Sequence, residues 1–249
     1  MDINQANIDN LTNLWKKYGA LPLTVDERTI GYANENWPYR SWLEDGKDIK
    51  HLLSAIPSNH VLSLWPFTCK HQYKANGRCD DYQTTETLLD KGWRVDVEQT
   101  AMYMNFDTVA PNVAPPQTSL KLLTVSSQQQ LQDWLRIGSE AFGYQISESV
   151  FNTLIEDSQI SLFLGQVADQ PVVSALVFTH NGISGLHQFG VLPAFQGQGL
   201  SIPAMREIIY RCKQKHASTM VLQASEAGYP LYEKLGFSAQ FKIKHFKRI

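Results

Sequence analysis

The chain has 249 residues, 43% of them hydrophobic, with 22 Lys and Arg against 24 Asp and Glu, for a formal net charge of −2. That length supports two modest cores, and the balanced charge excludes the positive field by which proteins gather DNA, RNA or anionic membrane nonspecifically. The polar start Met1-Asp-Ile-Asn-Gln carries no export signal and no apolar run approaches a bilayer span, so a cytoplasmic protein without nucleic-acid or membrane partners is expected.

The N-terminal half, residues 1–110, has little regular periodicity but holds five of the six tryptophans: Trp15, Trp37, Trp42, Trp65 and Trp93. The run Glu35-Asn-Trp37-Pro-Tyr39-Arg-Ser-Trp42-Leu-Glu44-Asp45 mixes aromatic faces with carboxylates, a mixture able to hold a cationic amine; any single tryptophan is equally at home in a core or a domain interface. Three cysteines, Cys69, Cys79 and Cys212, are an odd number in a chain without an export signal, which argues against a disulfide framework. Cys69, His71, Cys79 and Asp80 follow no familiar zinc spacing, so no metal is expected.

Next come Thr87-Leu-Leu-Asp-Lys91-Gly92-Trp93 and Gln99–Phe106, a helix end, a glycine turn and a strand. Three prolines then make residues 111–117 a semi-rigid linker. Beyond it, residues 118–249 read as a strand at Ser119–Val125, a helix at Ser126–Phe142 capped by Ser126 or Ser127 and stopped by Gly143, and a helix at Glu148–Asp157. Strands follow at Ile160–Val167, Val172–Thr179 and Ile183–Val191, the last two joined by the hairpin signal Asn181-Gly182. A helix at Ile202–His216, a buried strand at Thr219–Ala224, a short helix and a closing strand at Phe241–Ile249 complete the chain. The basic finish Lys242, Lys244, Lys247 and Arg248 reads as charge protecting an exposed edge strand, or as a reach toward a ligand phosphate.

The segment Val191-Leu-Pro-Ala-Phe-Gln196-Gly-Gln-Gly199-Leu-Ser201 is a strand entering a glycine turn and then a helix. Gly197 and Gly199 tolerate positive φ and close backbone approach, and the amides of the turn and the first helical turn can converge on one phosphate. No Gly-Lys-Ser/Thr follows, which excludes a P-loop nucleotidase. Downstream lies Gln223-Ala-Ser225-Glu-Ala-Gly228-Tyr-Pro-Leu-Tyr232-Glu-Lys-Leu-Gly236-Phe237.

Together the two segments resemble the GNAT superfamily of acyl-CoA-dependent N-acetyltransferases. Gln196, Gly199 and Ser201 match its Gln/Arg-x-x-Gly-x-Gly/Ala loop, and Tyr232, Gly236 and Phe237 match its Tyr-x-x-x-Gly-Phe element. Ser201 in place of Gly or Ala, Ser225 in place of Asn, and Pro203 in the early helix are departures. The resemblance implies an α/β (α+β) fold with a mixed central sheet flanked by helices. It also implies acetyl-CoA as co-substrate, an unidentified amine as acceptor, and the pyrophosphate on the amides of Gln198, Gly199, Leu200 and Ser201, with Gln196 and Gly197 opening the loop. Phe189 and Val191 would bind the pantetheine arm, with the Val191 N–H polarising the thioester carbonyl; Ser225 would line the cofactor, and Tyr232 would protonate the leaving thiolate. The family's strand Glu falls near Gly185, so His187 is the candidate base or else a packing residue, while Glu226 more simply stabilises a helix start. The missing Glu keeps open a catalytically silent acyl-CoA sensor or scaffold. Since Thr87–Phe106 echoes Tyr232–Phe237 and its strand, residues 1–106 read as a worn second copy with Leu88 in place of Tyr232, giving two tandem GNAT-like halves.

Overall fold

The computed structural model describes residues 2–44, 53–66, 81–108 and 119–249. By contacts the chain divides into a first unit, Met1–Leu14 with Met102–Ala239, and a second unit, Trp15–Ala101 with Gln240–Ile249. The linker expected at residues 111–117 lies outside the described residues. Helix α1 (Ile3–Lys17) and strands β5 (Trp93–Asn105) and β11 (Ser238–Arg248) each begin in one unit and end in the other.

In the first unit the strand order is β5, β10 (Thr219–Ala224), β9 (Ile183–Val191), β8 (Gln170–His180), β7 (Ile160–Val167) and β6 (Leu120–Thr124). Strands β6 to β9 form an antiparallel meander, whereas β9 and β10 are parallel. The β8–β9 turn has φ of 50° at Asn181 and 75° at Gly182, the two left-handed residues of a hairpin whose twist suits the strands. Ser127 caps α3 (Gln128–Phe142) by accepting from Gln130 N, and Gly143 ends it in the left-handed conformation. The second helix of the pair, α4, is shorter than expected, Glu148–Leu154. Helix α5 (Ser201–Gln214) turns Met205, Ile208, Ile209 and Cys212 onto a core with Phe163, Val177, Leu186, Met220 and Leu222. Met102, Met104 and Phe106, from the end of β5 and just beyond it, join this core, as do Tyr232 and Phe237 at either end of the turn leaving α6 (Tyr229–Leu235).

In the second unit the order is β1 (Ala20–Val25), β2 (Arg28–Asn34), β3 (Arg40–Leu43), β4 (Val61–Leu64), β11 and β5. Strand β11 is therefore an inner strand, which corrects the edge-strand reading. Its basic residues serve pairing instead: Lys242 reaches Glu98 at 3.3 Å, Lys247 reaches Asp96 at 2.8 Å, and the Arg248 guanidinium lies over the Trp93 ring. Trp15, Trp37, Trp42, Trp65 and Trp93 are all buried, Trp15 tilted against Trp42 and Trp37 against Tyr18. Glu44 pairs with Lys16 at 2.8 Å, Glu35 is exposed, and Asp45 lies outside the described residues. The five tryptophans thus fill a core, whereas Tyr39 of the same run is exposed.

Helix α2 (Asp81–Asp90), Gly92 at φ 81° and buried Trp93 at the start of β5 repeat the order α6, Gly236 at φ 94°, buried Phe237 and β11. Leu88 and Tyr232 each stand four residues before the glycine, each in its own unit's core. Among the described residues no helix is long and apolar enough to cross a membrane, and no three His, Cys, Asp or Glu side chains gather as a metal site. Cys69, His71, Cys79 and Asp80 lie outside the described residues.

Candidate active site

The parallel register of β9 and β10 runs from Ile183 opposite Thr219 to Leu186 opposite Leu222 and stops there. On its other edge β9 slips register against β8 between Ser174 and Leu176, and Gln188 at φ 49° supplies the extra residue of a bulge. Beyond the bulge Leu192 N–H donates to Val172 O at 2.9 Å. Because successive amides of a strand point to opposite edges, the N–H of Val191, and of Phe189 two residues earlier, points to the edge that β10 has left.

Gln196 folds back so that its Nε2 donates to Val191 O at 3.1 Å. Its side chain therefore fastens the loop to β9 and satisfies the carbonyl of the residue whose N–H is presented. Gln198 Nε2 similarly donates to Ala194 O. Gly197 and Gly199 have φ of 75° and 74°, with nothing near where a Cβ would lie. Among the described residues the backbone N–H groups of Gly197, Gln198, Gly199, Leu200, Ser201 and Ile202 have no hydrogen-bond partner. Pro203 has no N–H to offer, and it sits in the first helical turn, where such a group would be unpaired anyway. Six free amides on a loop with two left-handed glycines at a helix start are donors of the kind that suits an anion.

Tyr232 lies on α6 with its ring edge-on to Phe237 at 5.8 Å. The phenol makes no hydrogen bond among the described residues, and burial pushes its pKa well above the usual tyrosine range, so it keeps its proton throughout the neutral range. Ser225 does local work: its Oγ accepts from Gly228 N at 3.1 Å and its carbonyl from Tyr229 N at 2.9 Å, which starts α6.

His187 stands immediately before the bulge. Its Nε2 lies 3.0 Å from Asn10 Oδ1 on α1, and burial lowers its pKa to about 3. The place of the family's strand Glu is Gly185, whose missing side chain makes room for Asn10: a Cβ there would overlap Asn10 Oδ1 and come 2.6 Å from His187 Nε2. An imidazole of such low basicity takes no proton from an ammonium ion, so the arrangement disfavours His187 as a proton-storing base. Asn7, one turn before Asn10, accepts from Gln223 Nε2 at 2.7 Å while its Nδ2 donates to Met102 O at 3.1 Å.

Asn7 and Asn10 escaped the sequence reading. The available signal is two asparagines spaced i, i+3 inside the apolar stripe of Ala6, Leu11 and Leu14, where a buried amide needs a partner. Tyr144 and Gln188 also went unnoticed; the Tyr144 hydroxyl lies 3.3 Å from Gln188 Nε2, and Phe142, stacked on Tyr144, lies against Gly190.

A sequence model of the acetyltransferase (GNAT) domain matches residues 122–248, and the chain belongs to that family. It is accordingly a transferase of the acyl-transfer class. Comparison with curated proteins finds no match. Solved structures share the fold at low identity. A GCN5-related N-acetyltransferase from Kribbella flavida superposes with TM-score 0.68 at 13% identity, covering 98% of this chain and 95% of its own. A GCN5-related N-acetyltransferase from Sphaerobacter thermophilus gives 0.61 at 13% identity, covering 90% and 78%. A GNAT-family protein from Novosphingobium aromaticivorans gives 0.59 at 11% identity, covering 94% and 96%.

Proposed function

We propose that the protein is an N-acetyltransferase that moves the acetyl group of acetyl-CoA to a primary amine of a small molecule or protein by direct attack. The observation that carries this reading is the set of unpartnered amides from Gly197 to Ile202, beside a strand edge opened by the end of the β9–β10 register. In this assignment the loop holds the pyrophosphate, the pantetheine arm extends along the free edge of β9 past Phe189, and the Val191 N–H receives the thioester oxygen. Charge building on that oxygen is stabilised by a donor fixed in advance, so no reorganisation is needed at the moment of attack.

The amine nitrogen attacks the carbonyl carbon, a C–N bond forms and the C–S bond breaks. The nitrogen loses a proton to solvent, the sulfur takes one from Tyr232, and Tyr232 regains one from solvent, so the protons balance over the cycle. A thiolate whose thiol has an ordinary pKa near 8.5 is a weaker base than a phenolate, so the transfer from Tyr232 runs uphill and is completed only as the phenol regains a proton from solvent; burial keeps the phenol in its protonated form until then. Replacing Tyr232 with Phe is expected to lower kcat on the order of a hundredfold while leaving acetyl-CoA affinity within a factor of a few.

A second reading, a silent acyl-CoA sensor, draws on Gly185 in place of the strand Glu and on the uncharged state of His187. Two measurements separate the readings. Acetyl-CoA should raise the melting temperature in proportion to the logarithm of its concentration, and thiol should be released when a panel of amines is added. Gly199→Val should abolish the melting shift, since a β-branched residue at φ 74° is strained and closes the backbone to the phosphate. A melting shift without thiol release for any amine favours the sensor; no shift at all removes both.

A further inference from the structure

Asn10 belongs to α1, outside the matched domain at 122–248, and its amide is held in one orientation. Its Nδ2 donates to Phe178 O at 3.1 Å and to Ile183 O at 3.3 Å. Oδ1 is therefore the atom that meets His187 Nε2 at 3.0 Å. An amide oxygen only accepts, so Nε2 must carry the ring hydrogen and Nδ1 keeps the lone pair. Among the described residues Nδ1 has no protein partner, and the ring is partly exposed one residue before the bulge, on the strand that leads to Val191. Gly185 secures the arrangement from below, because a side chain there would displace Asn10.

We infer that Asn10 is a positioning residue that holds His187 as the Nε2–H tautomer, so that Nδ1 accepts a hydrogen bond from the N–H of an acceptor amine already neutral on arrival. Such a bond aims the nitrogen lone pair at the thioester carbon without storing a proton. It rests on the acetyltransferase reading above, and it adds a residue from the N-terminal helix to that site.

The charge state of the ring agrees with this use. Burial alone lowers the pKa, and the charged groups on the neighbouring elements are engaged elsewhere: Asp9 on α1 with Gln5, His180 on β8 with Gln159, and Asp133, Arg136 and Glu140 on α3 with one another. Nδ1 is consequently an acceptor across the whole pH range in which amines are acetylated. The acceptor class that suits the site is an amine with an appreciable neutral fraction at working pH, such as an arylamine or another weakly basic amine.

The test uses the full chain with nitrogen-15-labelled histidine. Imidazole spectra of the unmodified protein should show His187 protonated at Nε2 and bare at Nδ1, unchanged from about pH 5.5 to 9. A hydrogen on Nδ1, or titration near the ordinary value, overturns the inference without any variant having to fold. Asn10→Ala should mix the tautomers and lower kcat on the order of ten- to a hundredfold, with the KM for acetyl-CoA unchanged. A parent-like kcat in that variant, with the parent tautomer correct, overturns the positioning role alone. Absence of any acetyl-CoA-dependent melting shift in the parent overturns the acetyltransferase reading instead, so the two failures are told apart.

Discussion

At Gly185 the absence of a single carbon decides whether α1 can dock on β9. The Asn10 side chain occupies the volume a Cβ would need, and its two donated hydrogen bonds leave it no second orientation. Gly185→Ala should therefore destabilise the protein by about 1–3 kcal/mol through overpacking, measured by urea unfolding. The same substitution on an Asn10→Ala background should cost clearly less, because the clashing oxygen is gone. Additive costs in that double-mutant cycle would mean that the two residues do not meet. At this scale the sequence was legible in part. Gly197 and Gly199 announce themselves by type and spacing, since each answers a local backbone demand for positive φ. Asn10 is signalled only as a polar residue inside an apolar helix stripe; its partners, 168, 173 and 177 residues away, are not encoded locally. Ser225 and Gln196 were recognisable as loop residues, but their side chains turn out to hold backbone atoms of the loops themselves.

Among the elements, the strands of the first unit follow their turn residues closely. Strand β9 begins and ends where Asn181-Gly182 and the segment after Val191 dictate, and β10 coincides with its buried run. The bulge at Gln188 had no such signal: the slip arises from pairing with β8, which the sequence of β9 alone does not encode. Two strands also hold histidines in the neutral form. In β9 burial brings His187 down to about 3, and in β11 burial and then the Arg40 guanidinium hold His245 well below its ordinary value. Its Nδ1 meets Ser63 Oγ at 2.9 Å and Arg40 Nη1 at 3.0 Å, while Nε2 meets Gln99 Oε1 at 2.8 Å, a set that the neutral Nε2–H ring satisfies in full. Below about pH 6.5 the unfolded chain binds protons at both rings and the folded chain does not, so stability falls as pH falls toward the folded-state values. Above about pH 7 both contributions are level. Urea unfolding followed between about pH 4.5 and 7 should show this decline, and His187→Gln should make it shallower. An equal slope in that variant would mean that the His187 ring is not held neutral.

For the whole molecule the decisive fact is that neither unit is a continuous stretch of chain. The first unit takes its helix α1 from residues before Leu14 and its strand end at Met102–Asn105 from the far side of the proline-rich segment, while the last residues of β11 serve the second. The matched family domain at 122–248 thus differs from the folded unit at both ends. A sequence boundary drawn at three prolines follows local backbone preference, which is blind to strands that return to another unit's core; the fold class is legible from local periodicity, whereas the membership of α1 and the end of β5 in the first unit is not. The separated segment 118–249 would lack Asn7 and Asn10 on the β9–β10 face and Met102, Met104 and Phe106 in the core. Its remaining core residues, Met220 and Leu222 among them, would lose covering apolar surface worth roughly 1.5–3 kcal/mol for each large side chain removed, against a total stability on the order of 5–15 kcal/mol. Expressed alone, 118–249 should aggregate or melt without a cooperative transition and should gain no stability from acetyl-CoA. A fragment extended to carry residues 1–14 in trans and to begin at residue 102 should recover part of both properties. A cooperative transition and a full acetyl-CoA shift in 118–249 alone would show that the proline-rich segment does bound an autonomous domain, and that α1 is dispensable to the site.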